Sequence, residues 1–125
     1  MAQEEERIEK IEAIISKHKG KKNAITAREI ARIVGIPDND TFITTRMLIR
    51  KLIKKKQLPI GALDNGGYFL MEDPKELSDY VKTLNRRIIG ITDRKARVIR
   101  YFESYCNKEF TETEEFDEDA EEDLV

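Results

Sequence analysis

Nine positions, Leu77, Val81, Leu84, Ile88, Ile91, Lys95, Val98, Phe102 and Tyr105, are separated alternately by four and three residues. An α-helix returns side chains to one face at that interval, and a mean spacing of 3.5 residues is that of a coiled-coil seam. Asp73 as N-cap, Pro74 at the first helical position and Glu76 two residues later open the segment, so the spacing predicts a long helix over 73–106. At 1.5 Å per residue the roughly 30 residues of the seam run about 45 Å. A chain of 125 residues builds one small core, which such a stripe outruns. Another surface must cover the rest, and a second copy in a two-stranded coiled coil is the simplest one. Leu77, Val81, Leu84, Ile88, Ile91, Val98 and Phe102 are the expected dimerisation residues. Lys95 interrupts the seam and helps specify register or orientation at a cost in stability. A mid-helix glycine costs about 1 kcal/mol relative to alanine, so Gly90-Ile91-Thr92-Asp93 is the place where a helical hairpin would break. The phase continues across Gly90, which favours one continuous helix.

The formal charge of −2 hides a division. Residues 1–106 hold 22 Lys and Arg against 15 Asp and Glu, whereas residues 107–125 hold 1 against 10. Binding to a polyanion depends on the local field of the docking face, so a whole-chain pI near 5.6 does not exclude it. One cysteine, Cys106, allows no internal disulfide and no CxxC metal motif, and it fits a reducing cytoplasm. No apolar run approaches about 18 residues, so neither a signal segment nor a membrane span is expected. The expected location is cytoplasmic.

Ahead of the long helix the chain reads as three shorter helices and a hairpin. Ile8, Ile11, Ile15 and His18 make the core stripe of a first helix over about 4–18, with Glu4, Glu5 and Glu6 at its positive end. Ala24-Ile25 suits a short extended segment. Thr26 and Glu29 form a capping box for a second helix that buries Ile30 and either Ile33 or Val34 and ends at Gly35. Pro37 interrupts, and Asp38, Asn39 and Asp40 each offer an N-cap oxygen for a third helix from about Asp40 to Lys56. Its expected inward face is Thr45, Leu48, Ile49 and Leu52. With Leu52 facing the core, a turn of about 100° per residue sends Ile43, Met47, Arg50 and Lys54 outward. Asn65-Gly66 between apolar runs predicts a β-hairpin with a type I′ turn, and Pro59 predicts an edge strand.

The helix, turn and helix of residues 24–56 followed by LPIGALDNGGYFL resemble winged helix-turn-helix DNA-binding domains, of the kind found in small phage, mobile-element or archaeal proteins. The resemblance covers residues 24–71. It implies a mainly α fold with a small β-hairpin wing, an α+β winged helix-turn-helix followed by a long C-terminal dimerisation helix. The expected organisation is a winged domain over 1–72, the long helix over 73–106 and an acidic disordered tail over 107–125.

Between Ile43 and Lys56 there is no acidic residue. An outward row of two long apolar side chains and two cations suits a DNA groove, where cations meet phosphates or guanine edges and apolar groups meet thymine methyls. Arg50 is the first candidate for a base contact through a bidentate guanidinium. Arg46 and Lys51 are placed to reach phosphates, and Thr44 to reach either phosphate or base. Lys21, Lys22 and Arg28, with Arg32, extend the positive field. The segment from Leu58 to Met71 holds no cation and puts Asp64 near its tip, so the wing is a doubtful phosphate contact. Arg86, Arg87, Arg94, Arg97 and Arg100 read as flanking charges of the coiled coil or as an extension of the DNA footprint. The tail has three readings: a solubilising end, a competitor for the basic face, or a peptide that docks through Phe110 and Phe116.

Chemistry of other kinds finds little purchase. There is one His, one Cys, no GxGxxG, no P-loop and no HExxH, and the tail acids lack the geometry of an EF-hand loop. Neither an enzyme nor a metal or other cofactor is expected. The expected function is sequence-specific binding of double-stranded DNA as a homodimer, with transcriptional regulation the commonest use of such an architecture. The alternative is a winged-helix adaptor or replication-accessory protein that works through protein contacts.

Overall fold

The structure, a computed structural model, describes residues 2–113. The chain divides into two units, Met1–Val81 and Lys82–Val125. In the first, α1 (Ala2–Ile15), β1 (Ile25–Thr26), α2 (Ala27–Val34), α3 (Ile43–Lys56), β2 (Ile60–Ala62) and β3 (Gly67–Leu70) precede the start of α4 (Pro74–Cys106). The fold is mainly α with a three-stranded antiparallel sheet of order β1-β3-β2. Ile25 pairs with Tyr68, and Ile60, Gly61 and Ala62 pair with Leu70, Phe69 and Tyr68. This order is compatible with a winged helix. The edge position of β2 follows from Pro59, which has no N–H to give to a further strand.

Apolar spacing dictates the core. Ile8, Ile11 and Ile15 of α1, Ile30 and Ala31 of α2, and Leu48, Ile49 and Leu52 of α3 bury one face each and meet Ile25, Ile36 and Ile60. Thr45 is fully buried among them, so the whole inward quartet of α3 lies where its period puts it. On α2 the choice falls to Val34, which packs against the core, while Ile33 is exposed.

Several boundaries and one turn differ from the sequence expectations. The first helix ends at Ile15 instead of near residue 18, which places His18 outside it. Tight bonds from Lys17 N–H to Ile14 O and from His18 N–H to Ile15 O close the last turn, and the Leu70 backbone then takes up His18 O and Gly20 N–H. His18 Nδ1 lies 2.7 Å from Asn23 O. A carbonyl only accepts, so Nδ1 holds the proton. The third helix starts at Ile43, because Phe42 before it adopts a left-handed conformation with φ 54°. The β2–β3 connection is a type I turn, not type I′. Gly66 N–H bonds to Leu63 O and Leu63 N–H to Gly67 O, and Gly66 alone in the loop has positive φ, 86°. A three-residue loop closed by a bulge needs one left-handed residue where a two-residue I′ turn needs two.

α4 opens as expected, with Asp73 Oδ1 accepting from Glu76 N–H. It runs unbroken through Gly90 for 33 residues and ends at Cys106, followed by Asn107 at φ 54°. Among the described residues no helix is long and apolar enough to cross a membrane. The second unit comprises α4 from Lys82 onward and residues 107–113, which are exposed and outside regular structure. The expectation of disorder for residues 114–125 lies outside the described residues.

Candidate nucleic-acid interface

The local sequence around Pro37 fixes how α3 is presented. Phe42 sits at the N-cap without a side-chain oxygen, so the orphan N–H groups of the first turn need another acceptor. Asp38 reaches forward to supply it. Its Oδ1 accepts from Thr44 N–H at 3.2 Å and its Oδ2 from Thr45 N–H at 2.7 Å and Thr45 Oγ1 at 2.8 Å. Burial works to raise the Asp38 carboxyl, but the Thr45 and Thr44 donors outweigh it and hold the group below the usual aspartate value. A negative charge is also favourable beside the positive end of a helix. Arg28 of α2 places its guanidinium 5.5 Å from the centroid of the Phe42 ring, so one candidate cation lies beside the N-terminus of α3.

The outward row falls opposite the buried quartet. Ile43 is 55% exposed and Lys54 is exposed, while Met47 and Arg50 are half-buried. Arg46 and Thr44 are also half-buried, on the flanks of the helix. Lys51 has a partner within the protein that sequence reading missed. Its Nζ lies 2.7 Å from Glu4 Oε1 on α1, and this hydrogen bond lowers the Glu4 pKa. Lys55 approaches Glu5 and Lys56 approaches Glu12, each at 4.0 Å. The lysines at the C-terminal end of α3 thus meet acids from α1. Glu4, Glu5, Ile8, Lys51, Lys54 and Lys55 line a shallow cleft there, whose mixed charge gives no single pole to a small ligand.

Lys21 and Lys22 occupy a short 3-10 turn and are exposed. The turn is pinned by Lys21 N–H donating to Glu76 Oε2 at 2.6 Å, while Glu72 N–H donates to Glu76 Oε1 at 2.8 Å. These two donors, Glu72 first, hold the Glu76 carboxyl below its ordinary value. Arg32 forms an ion pair with Glu29 on α2. At the hairpin tip Asp64 is exposed, and no cation stands between Leu58 and Met71.

The seam residues of α4 are not covered by the described chain. Leu77, Val81, Ile88, Ile91, Val98 and Phe102 are 43% exposed or more, Leu84 is half-buried, and no residue of α4 is buried. Cys106 is exposed at the end of the helix. Lys95 Nζ contacts Glu112, 2.9 Å from Oε2 and 3.1 Å from Oε1. Glu103 Oε2 accepts from Phe110 N–H at 3.1 Å. Among the described residues, no group of three or more His, Cys, Asp or Glu is gathered to hold a metal ion.

Comparison with protein-family models, with curated proteins and with solved structures finds no match for the chain.

Proposed function

We propose that the protein is a winged helix-turn-helix DNA-binding protein that reads duplex DNA with α3 and associates as a homodimer through α4. The observation that supports the reading most is the pair of opposed faces on α3. Thr45, Leu48, Ile49 and Leu52 are buried, and Ile43, Met47, Arg50 and Lys54 stand on the other side without an acid on the same helix. The element order α1, β1, α2, α3, β2, β3 is compatible with a winged helix, in which β2 and β3 would form the wing. Arg50 takes guanine edges, Lys54 takes phosphate, and Ile43 and Met47 meet thymine methyl groups. Arg46, Thr44, Lys21, Lys22 and Arg28 add backbone contacts around this row. Lys51 contributes to phosphate only by exchanging Glu4 for it.

Dimerisation supplies the second half-site that most helix-turn-helix readers use. Leu77, Val81, Leu84, Ile88, Ile91, Val98 and Phe102 are the residues a second α4 would cover. Transcriptional regulation is the first use of such an arrangement, and the expected location is the cytoplasm.

Selection from a random duplex library tests the reading directly. An enriched motif is expected, with affinity falling steeply as salt rises. Arg50→Ala combined with Lys54→Ala should lower affinity at least tenfold and blur the motif at the Arg50 position. Unchanged binding in that double variant would remove α3 from the interface. A second reading is favoured by the exposed apolar row on α4. It is an adaptor that works through protein contacts, and the absence of any enriched duplex would select it.

A further inference from the structure

Residues 107–113 leave α4 through the left-handed Asn107 and turn back along it. Phe110 N–H reaches Glu103, and Glu112 reaches Lys95, eight residues further toward the helix N-terminus. The path is therefore antiparallel to α4, and it arrives at the one cation inside the apolar seam. We propose that residues 107–125 are an intramolecular ligand of α4, a strap that covers its exposed apolar and cationic faces between about Lys82 and Phe102.

Charge complementarity picks this occupant. Residues 82–100 carry seven cations, Lys82, Arg86, Arg87, Arg94, Lys95, Arg97 and Arg100, against the single acid Asp93. Residues 107–125 carry one Lys against ten acids. A single exposed ion pair contributes little, so Glu112 with Lys95 alone would not hold the tail. A run of acids opposite a run of cations adds such pairs into a network. Length is sufficient as well. From Lys95 back to Lys82 the helix spans about 20 Å, and the 13 residues after Glu112 reach about 40 Å when extended. Phe110 and Phe116 are six apart, an even interval that puts both on one side of an extended segment. The exposed apolar row that such a strap would cover is Val98, Ile91 and Ile88. The strap moves the tail's target from the α3 face to α4, and it competes with a second copy for the seam. Only this competition rests on the reading of α4 as the association helix.

Paramagnetic relaxation separates the outcomes. In a Cys106→Ser background, a nitroxide on Leu124→Cys is expected to broaden amides of residues 82–95 in dilute protein free of DNA. The effect should fall at least threefold with Lys95→Glu and return when Glu112→Lys is added. A mixture of isotope-labelled chain with unlabelled, spin-labelled chain distinguishes the occupant, since equal broadening in the mixture would assign the contact to another copy's tail and overturn the proposal. Broadening confined to α3, or none on α4, would overturn it too. Sedimentation of the same samples reports on association separately. Deleting residues 107–125 is expected to tighten self-association at least threefold. A chain that stays monomeric with and without its tail, yet shows the broadening, keeps the strap and removes the coiled-coil dimer.

Discussion

Asp38 concentrates the presentation of α3 in one carboxylate. It satisfies two backbone N–H groups and the hydroxyl of Thr45, a residue with no solvent exposure. Asp38→Ala is expected to cost about 2 kcal/mol, the sum of a lost cap and a buried donor left without its acceptor. Asp38→Asn keeps an acceptor and loses the charge, so it should cost roughly half as much. Urea unfolding at neutral pH measures both. The pH dependence has a definite sign. Because the folded carboxyl titrates below the unfolded one, its contribution is complete above the ordinary aspartate range, near 3.9, and disappears as pH falls through the lower folded value. The gap between wild type and Asp38→Ala should therefore narrow in strong acid to what a neutral acceptor contributes; a gap that stays constant down to about pH 2, below the ordinary aspartate range, would show that the charge is not what stabilises the turn. A second residue-scale constraint sits in the sheet. A Cβ on Gly61 would lie 2.9 Å from Cζ of the Phe69 ring, its buried cross-strand partner. Gly61→Ala should destabilise by about 1–3 kcal/mol through overpacking, and Phe69→Leu in the same chain should recover part of it by removing the obstructing ring. Additive losses in the double variant would show that the ring is not the obstacle.

At the scale of elements, what was legible followed from local period and cap chemistry. The inward face of α3, the Thr26 cap of α2 and the Asp73 cap of α4 each depend on residues within a turn or two of one another, and each stands where the spacing puts it. The features that escaped are those made at a distance or by a close choice. Asn65-Gly66 is compatible with two hairpin turns, and the additional loop residue selected the one with a bulge. Nothing on α3 announces that α1 will set Glu4, Glu5 and Glu12 beside Lys51, Lys55 and Lys56. The only local signal is an acid-rich helix ahead of an acid-free one. This pairing has a consequence for the proposed DNA contact. If these lysines exchange carboxylate for phosphate, Glu4→Gln with Glu5→Gln should raise affinity for duplex DNA, on the order of severalfold at low salt and negligibly at high salt, where screening suppresses both partners. Fluorescence anisotropy over a salt series measures it. Equal affinity at every salt concentration would confine the DNA contact to Ile43, Met47, Arg50, Lys54 and their nearer neighbours.

For the molecule as a whole, α4 sets the main demand. The continuous helix was legible because its seam keeps one phase through Gly90, and a single mid-helix glycine costs only about 1 kcal/mol relative to alanine. Its covering was not legible, since the same 4-3 spacing serves a second copy, another protein or the chain's own tail. Ile88 and Ile91 are 59% and 43% exposed and lie outside the core of the first unit. Ile88→Asp with Ile91→Asp should therefore leave the unfolding midpoint of that unit nearly unchanged. In a two-stranded coiled coil the same pair would bury four carboxylates at adjacent layers, each at a desolvation cost of several kcal/mol, enough to abolish a dimer of ordinary micromolar affinity. Sedimentation equilibrium is expected to give a dimer for the intact chain at high micromolar concentration and a monomer for the double variant. DNA binding should weaken in parallel, because a reader that loses its partner keeps one half-site and forfeits the effective concentration of the other. An intact chain that is monomeric at that concentration would leave the seam to the tail or to another protein. Binding that is equally tight in wild type and variant would mean that α3 reads DNA singly.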